Sequence, residues 1–208
     1  MADLEIQLDK SNEFWDKRYK EDGYRYGAEP NEFLKKQLAG MTPGKILFPC
    51  EGEGRNAVYA ALVGWDVHAM DFSEAGKTKA LALASEKNVS IQYDVADIAT
   101  FTSEPSTYDA IGLIFAHLPP DLRSVAYKKL VGYLKPGGTV ILEMFSKKQL
   151  GRSSGGPQRL DMLWSKEEVL EIFAGLTVVQ LEEVETELKE GPHHDGKAST
   201  VRFIGQKP

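Results

Sequence analysis

Between an apolar run, Lys45 to Pro49, and an alanine-rich stretch, Gly54 to Val63, lies Cys50-Glu51-Gly52-Glu53-Gly54-Arg55-Asn56-Ala57. Glycines let a backbone approach a ligand closely and turn sharply into a following helix. Gly52, Gly54 and Ala57 have the G-x-G-x-x-A spacing of a dinucleotide loop. Asp71 closes the next apolar run, where a carboxylate can accept hydrogen bonds from both hydroxyls of a ribose. Together these features point to a nucleoside ligand, with an ordinary tight turn as the plainer alternative. Glu51 and Glu53 then choose among nucleosides. A pyrophosphate wants helix N–H groups and no negative charge nearby, whereas two carboxylates suit an ammonium or a sulfonium. S-adenosylmethionine carries both, which favours it over NAD.

The elements that position these residues alternate regularly. Strands are expected at Lys45 to Pro49, Asp66 to Met70, Val89 to Tyr93, Tyr108 to Phe115 and Thr139 to Phe145. Near-continuous apolar runs of this kind mark strands buried on both faces of a parallel sheet. Helices are expected at Gly54 to Val63, at Ser73 to Lys87 with Ser73 as N-cap, and after Pro119-Pro120, where proline's missing N–H is harmless. Lys135-Pro136-Gly137-Gly138 reads as a turn into the fifth strand. Ser165-Lys166-Glu167-Glu168 is a capping box for a helix to about Phe173. Two further strand-like runs, Thr177 to Leu188 and Ser199 to Gly205, are joined by the polar Lys189–Lys197 loop and must pair antiparallel. The first forty residues read as two helical pieces, Asn12 to Lys20 and from Pro30-Asn31 onward, around Asp22-Gly23. The expected fold is α/β: a Rossmann-like, doubly wound, mostly parallel seven-stranded sheet with a C-terminal antiparallel hairpin and an N-terminal helical lid. One domain, 1–208, divides into the lid (1–40), a cofactor-binding core (45–145), and a substrate loop, helix and terminal hairpin (146–208).

Five segments carry a wider resemblance: Phe14-Trp15-Asp16-Lys17-Arg18-Tyr19, Tyr26-Gly27-Ala28-Glu29-Pro30-Asn31, Gly52-Glu53-Gly54-Arg55-Asn56, His117-Leu118-Pro119-Pro120 and Leu134-Lys135-Pro136-Gly137-Gly138. In combination the chain resembles class I S-adenosylmethionine-dependent methyltransferases over nearly its whole length, and more narrowly the tellurite-resistance and thiopurine-methyltransferase-like branch. The resemblance implies that Cys50 to Gly54, with Asn56, hold the methionine moiety. It places Asp71 on the ribose, with Phe72 beside the adenine and Ser73 next to it. It sets Asp97 and Ile98 on the adenine, and Ala116, His117 and Leu118 beside the sulfonium. Trp15, Tyr19 and Tyr26 fall on the lid. The chain departs from the pattern at Phe48, where the superfamily has an acid, and at Cys50, where it has glycine; Glu51 is placed to replace the missing acid.

Methyl transfer from a sulfonium is an in-line displacement, for which a protein supplies mainly proximity and alignment. A base is needed only if the nucleophile must lose a proton. Soft anions of selenium, tellurium or sulfur, such as a chalcogen oxyanion or an ionised thiol, need none. His117 is the candidate general base, against a purely structural reading of it. Arg159 and His193 are candidate substrate contacts.

Other signals carry less. Gly151-Arg152-Ser153-Ser154-Gly155 matches a hydrolase elbow, but no strand directly precedes it and Gly156-Pro157 follows, so it reads as a flexible substrate loop. His193-His194-Asp195 reads as a loop tip, with no metal expected. Gly40 to Lys45 lacks P-loop spacing. Glu182, Glu183, Glu185 and Glu187 suit a solvated edge strand.

Composition bounds the class. At 208 residues, with 42% hydrophobic and 27% charged side chains, the chain can bury a substantial core. Net charge is −6, from 25 basic and 31 acidic residues, without a dense basic run, so no nucleic-acid partner is expected. Cys50 is the one cysteine, which excludes an intrachain disulfide. The start, MADLEIQLDK, lacks the pattern of a secretory signal, and no apolar run is long enough to span a bilayer, so a cytoplasmic location is expected. No oligomeric state is implied. The expected function is methyl transfer from S-adenosylmethionine to a small-molecule acceptor. The alternatives are an NAD-dependent oxidoreductase, which requires a parallel sixth strand in place of the hairpin, and a non-catalytic S-adenosylmethionine-binding module.

Overall fold

The computed structural model describes residues 13–208. The first twelve residues of the expected lid, Asn12 included, lie outside the described residues. Residues 13–19 form helix α1, and α2 follows at Glu32–Leu38 with the Asn31 side chain accepting from Leu34 N–H. The alternation then runs β1 (Lys45–Pro49), α3 (Arg55–Leu62), β2 (Asp66–Asp71), α4 (Glu74–Glu86), β3 (Gln92–Val95), β4 (Tyr108–Ile114), α5 (Pro120–Gly132) and β5 (Leu134–Phe145). Helix α6 (Lys166–Ile172) and a hairpin of β6 (Thr177–Lys189) and β7 (Asp195–Gln206) complete it.

The seven strands form one sheet in the order β3-β2-β1-β4-β5-β7-β6. β1 to β5 pair in parallel, while β7 runs antiparallel to both β5 and β6. This is the expected doubly wound sheet with its terminal hairpin, and not the parallel sixth strand that the oxidoreductase alternative requires.

Strand periodicity divides the apolar residues between two cores. Ile46, Phe48, Ala110 and Ile141 pack with α2, α3 and Ala80 of α4. Leu47, Ile111, Leu113 and Leu142 pack with α5 and α6, around the fully buried Tyr127 and Trp164. Phe48 closes on Gly112 of β4, where an added Cβ would lie 2.3 Å from its ring. The acid missing from β1 is therefore replaced by an aromatic in the core.

Ser73 caps α4 through Gly76 N–H (3.1 Å), and Ser165 with Glu168 forms the expected capping box on α6. Three expectations need correction. β3 begins three residues later than the apolar pattern suggested, because Val89 and Ile91 pack onto Val58, Leu83 and Ala84 before the chain joins the sheet. Lys135 to Gly138 is not a separate turn. Leu134 already pairs with Tyr108, and the irregularity is absorbed inside β5, with Gly137 at φ 78°. The polar connection of the hairpin is shorter than Lys189–Lys197, since β6 reaches Lys189 and β7 starts at Asp195. Among the described residues, no helix is long and apolar enough to cross a membrane.

Gly54 sets how closely α3 and α4 approach. Its φ is 88°, and a Cβ there would stand 2.4 Å from Ala80 Cβ. Gly54→Ala is expected to destabilise the fold by about 2 kcal/mol, lowering Tm by roughly 5 °C; thermal unfolding followed by circular dichroism measures this.

Candidate functional site

β1 and β4 are neighbours, but the chain leaves β1 for α3 on one face and β4 for α5 on the other. The carboxyl ends therefore part into a crevice, the place where open α/β sheets take ligands. Here it is a cleft of about 950 Å³.

Most of the residues singled out from the sequence meet there. Cys50, Glu51, Glu53 and Asn56 line it from the loop after β1, Asp71 and Phe72 from the end of β2, Asp97 and Ile98 from beyond β3. Ala116, His117 and Leu118 line it from beyond β4, and Trp15, Tyr19 and Tyr26 from the lid. Arg159 and His193 stand on its wall as well. Gly52, Gly54 and Ser73 do not line it. Gly52 N–H donates to Asp71 Oδ2 (3.1 Å), Gly54 is the left-handed N-cap of α3, and Ser73 is the N-cap of α4. They shape the wall from behind.

The acids are held by backbone N–H groups. Asp71 also accepts from Ser73 N–H (3.0 Å), yet burial outweighs these bonds and raises its pKa to about 6. Glu51 Oε1 accepts from Asn56 and Ala57 N–H (2.9 and 2.8 Å) at the start of α3, and burial lifts its pKa to about 7. Asp97 accepts from Ala99 N–H (2.8 Å). Cys50 sits at φ 55°, and burial pushes its thiol up, so it stays neutral.

Glu53 is spoken for. It pairs with Lys79 (2.8 Å) and accepts from Arg25 and Tyr26 N–H (2.7 and 3.4 Å), so its charge fastens the lid. Further latches join lid to core: Asp16 accepts from Ser73 Oγ (2.7 Å) and Ala75 N–H (3.1 Å), and Asn56 Oδ1 from Asn31 N–H (2.9 Å). The lid offers the cleft an aromatic face. The Trp15 ring stacks on Tyr19 at 5.6 Å, and Arg18 lies 4.4 Å over Phe14 while donating to Tyr26 Oη (2.8 Å).

His117 is held at both ring nitrogens. Phe145 N–H donates to its Nε2 (3.2 Å), so the proton sits on Nδ1, which donates to Met162 O (3.0 Å). Both nitrogens are occupied, and burial lowers its pKa to about 4. It lines the cleft with its ring engaged at both nitrogens. The His193-His194 pair lies at a loop tip, in the turn between β6 and β7. His194 is buried, its ring edge-on to Phe115 (4.6 Å) and Phe145 (5.2 Å). The segment from Arg152 to Arg159 does line the cleft, but Ser154 anchors it, accepting from Gln149 Nε2 (2.9 Å) and donating to Lys197 O (2.6 Å). Arg159 is exposed and paired with Asp161 (2.5 Å).

Sequence reasoning missed Arg18, Arg55, Phe115, Phe145 and His194, which also line the cleft. Phe115 and Phe145 read as ordinary strand ends; their stacking at 4.5 Å is a property of the sheet. Arg55 lay within a quoted motif, but its burial depends on Glu190, 135 residues away.

Residues 46–138 match the family model described as a methyltransferase domain. Among solved structures, the chain is similar to one described for the conversion of a disulfide bond into a thioacetal group during echinomycin biosynthesis, at 17% identity over 94% of this chain and 91% of that one, with a TM-score of 0.76. It is also similar to TehB from Haemophilus influenzae, at 18% identity over 95% of this chain and 67% of that one, TM-score 0.71. A third is a SAM-dependent methyltransferase from Methanosarcina mazei, at 16% identity over 86% and 98% of the two chains, TM-score 0.64. At these identities the likeness establishes a Rossmann-like methyltransferase fold. Hemagglutinin 1 of Eikenella corrodens is 25% identical over 137 residues, 65% of this chain, and the match spans 45% of that protein's length.

The shifted groups predict opposite pH effects. Asp71 and Glu51 bind protons more tightly folded than unfolded, so their contribution to stability is full below about pH 4 and declines as pH rises through 6 to 7. Asp71→Asn should therefore melt with a shallower decline than wild type between pH 4 and 7 in the ligand-free protein. His117 acts in the other sense, destabilising only as pH falls from 6.5 towards 4. Its imidazole NMR signals should titrate with a midpoint near 4.

Proposed function

We propose that the chain transfers a methyl group from S-adenosylmethionine to a small-molecule acceptor. One observation carries this: a cleft with buried carboxylates at the ends of β1 and β2, an aromatic lid, and a guanidinium nitrogen, Arg55 Nη1, without a hydrogen-bond partner among the described residues. That donor set fits a cofactor holding a ribose, a cation and a carboxylate in one molecule. Asp71 would accept from the ribose hydroxyls, and Asp97 and Ile98 would border the adenine. Glu51 would face the positively charged part, and Trp15, Tyr19 and Tyr26 would cover it with ring faces. When bound, the cofactor supplies an activated methyl on a good leaving group. The chain itself contributes alignment and exclusion of water.

The acceptor half is a wall of rings. Phe115 stacks on Phe145 at 4.5 Å, and His117 on Phe145 at 5.6 Å. Burial keeps His117 and His194 neutral, and the nearby Arg152 and Arg159 are paired with Glu185 and Asp161. With both His117 nitrogens hydrogen-bonded, the ring wall favours acceptors that need no base. A chalcogen oxyanion, or a thiol that arrives already ionised as its thiolate, meets that requirement, and a ring-bearing one also matches the wall. The family match over residues 46–138 supports the reaction class.

Isothermal calorimetry should detect S-adenosylmethionine binding; a null result sinks the proposal. Asp71→Asn, which loses charge-assisted bonds worth about 1.5–3 kcal/mol, should weaken that binding roughly 10- to 100-fold. A panel of thiols and chalcogen oxyanions, read by S-adenosylhomocysteine release, then identifies the acceptor. Binding without release from any acceptor would favour a non-catalytic module.

A further inference from the structure

Glu190 lies in the turn between β6 and β7, far along the chain from the loop after β1. Its carboxylate nevertheless pairs with Arg55 Nη2 at 2.7 Å, both side chains being more than nine-tenths buried. The same carboxylate accepts from Asn31 Nδ2 (3.1 Å) and lies 3.4 Å from His194 Nδ1. Glu190 N–H donates to His194 O (2.8 Å), which tightens the turn. Burial opposes ionisation of Glu190, but the His194 hydrogen bond and the Arg55 guanidinium overcome it and hold the carboxyl below its ordinary value. The turn is seated on the lid: a Cβ on Gly191 would stand 2.3 Å from Gly27 N.

A buried ion pair is a poor device for stability, since desolvation offsets most of its attraction. Here, moreover, only half of the guanidinium is used. Arg55 Nη2 is paired, while Nη1, equally buried and in a residue that walls the cleft, has no partner among the described residues. Buried donors without partners are rare in folded proteins and call for a ligand or another explanation.

We propose that Glu190 is a positioning residue: from the terminal hairpin it holds Arg55 so that the unpaired Nη1 takes the carboxylate of the cofactor's amino-acid tail. This rests on the reading of the cleft as an S-adenosylmethionine site. Through His194, the same carboxylate sets the ring that stands against Phe115 and Phe145. One side chain thus registers the cofactor end of the cleft against its acceptor wall.

The test compares two adenosine thioethers by calorimetry. S-adenosylhomocysteine has the amino-acid tail, and 5′-methylthioadenosine lacks it. Glu190→Gln should weaken S-adenosylhomocysteine about tenfold, the loss of one well-placed charged hydrogen bond, and change 5′-methylthioadenosine by less than about twofold. Unchanged binding of both, or an equal loss of both, overturns the inference. If Glu190→Gln does not melt cooperatively, Arg55→Lys decides. It keeps a charge for Glu190 but removes the second donor, so a selective loss of S-adenosylhomocysteine supports the proposal and no selectivity overturns it. Wild-type protein that binds neither thioether overturns the cofactor reading and this inference together.

Discussion

A parallel strand pair whose connections leave to opposite faces cannot keep its carboxyl ends covered. β1 and β4 are such a pair here, and the acids and rings of the cleft are arranged around the gap between them. The two cores on either side of the sheet keep that gap open. Alternate residues of β1 and β4 are drawn to opposite helical layers, so the loops that follow must diverge. A ligand there meets strand ends, which present loops and helix starts, and not a packed interior.

Charge in the cleft comes from two sources that are separate in the chain. The acids belong to the parallel core: Glu51, Asp71 and Asp97 stand at successive strand ends and are held by backbone N–H groups. Arg18 arrives with the lid. Arg55 starts α3, but its side chain is fixed by Glu190 from the last hairpin. The acids carry a desolvation penalty that hydrogen bonds to backbone do not cancel, visible in the raised pKa values of Glu51 and Asp71. A bound cation relieves that penalty. This is the physical basis of the proposal that the cleft takes a positively charged nucleoside.

Lid and hairpin meet over this gap. Glu53 and Lys79 hold the lid from the core side, while Gly27 and Gly191 bring it onto the turn of the hairpin. The terminal hairpin is therefore part of the cleft and more than an edge to the sheet. β6, the true edge, carries Glu183 and Glu185, which pair with Lys148 and Arg152 of the preceding loop. That places the loop against the cleft mouth.

The succession of strands along the chain, the glycine loop and the acid ending β2 were legible because each follows from local rules. An apolar run of fixed length makes a buried strand, a glycine pair makes a close turn, and a carboxylate after a strand lies at the ligand end of a parallel sheet. His117 was legible as a residue of the cleft but not as a committed one. Its partners, Phe145 N–H and Met162 O, lie 28 and 45 residues away, and no spacing announces a hydrogen bond to a backbone atom of another element. For the same reason the part of Glu53 in fastening the lid was not legible, and neither was the buried cluster of Arg55, Glu190 and His194. Sequence determined which groups stand at the strand ends, since periodicity and turn chemistry are local. Only tertiary packing decided which of those groups remain free, because long-range partners compete for the same lone pairs and protons.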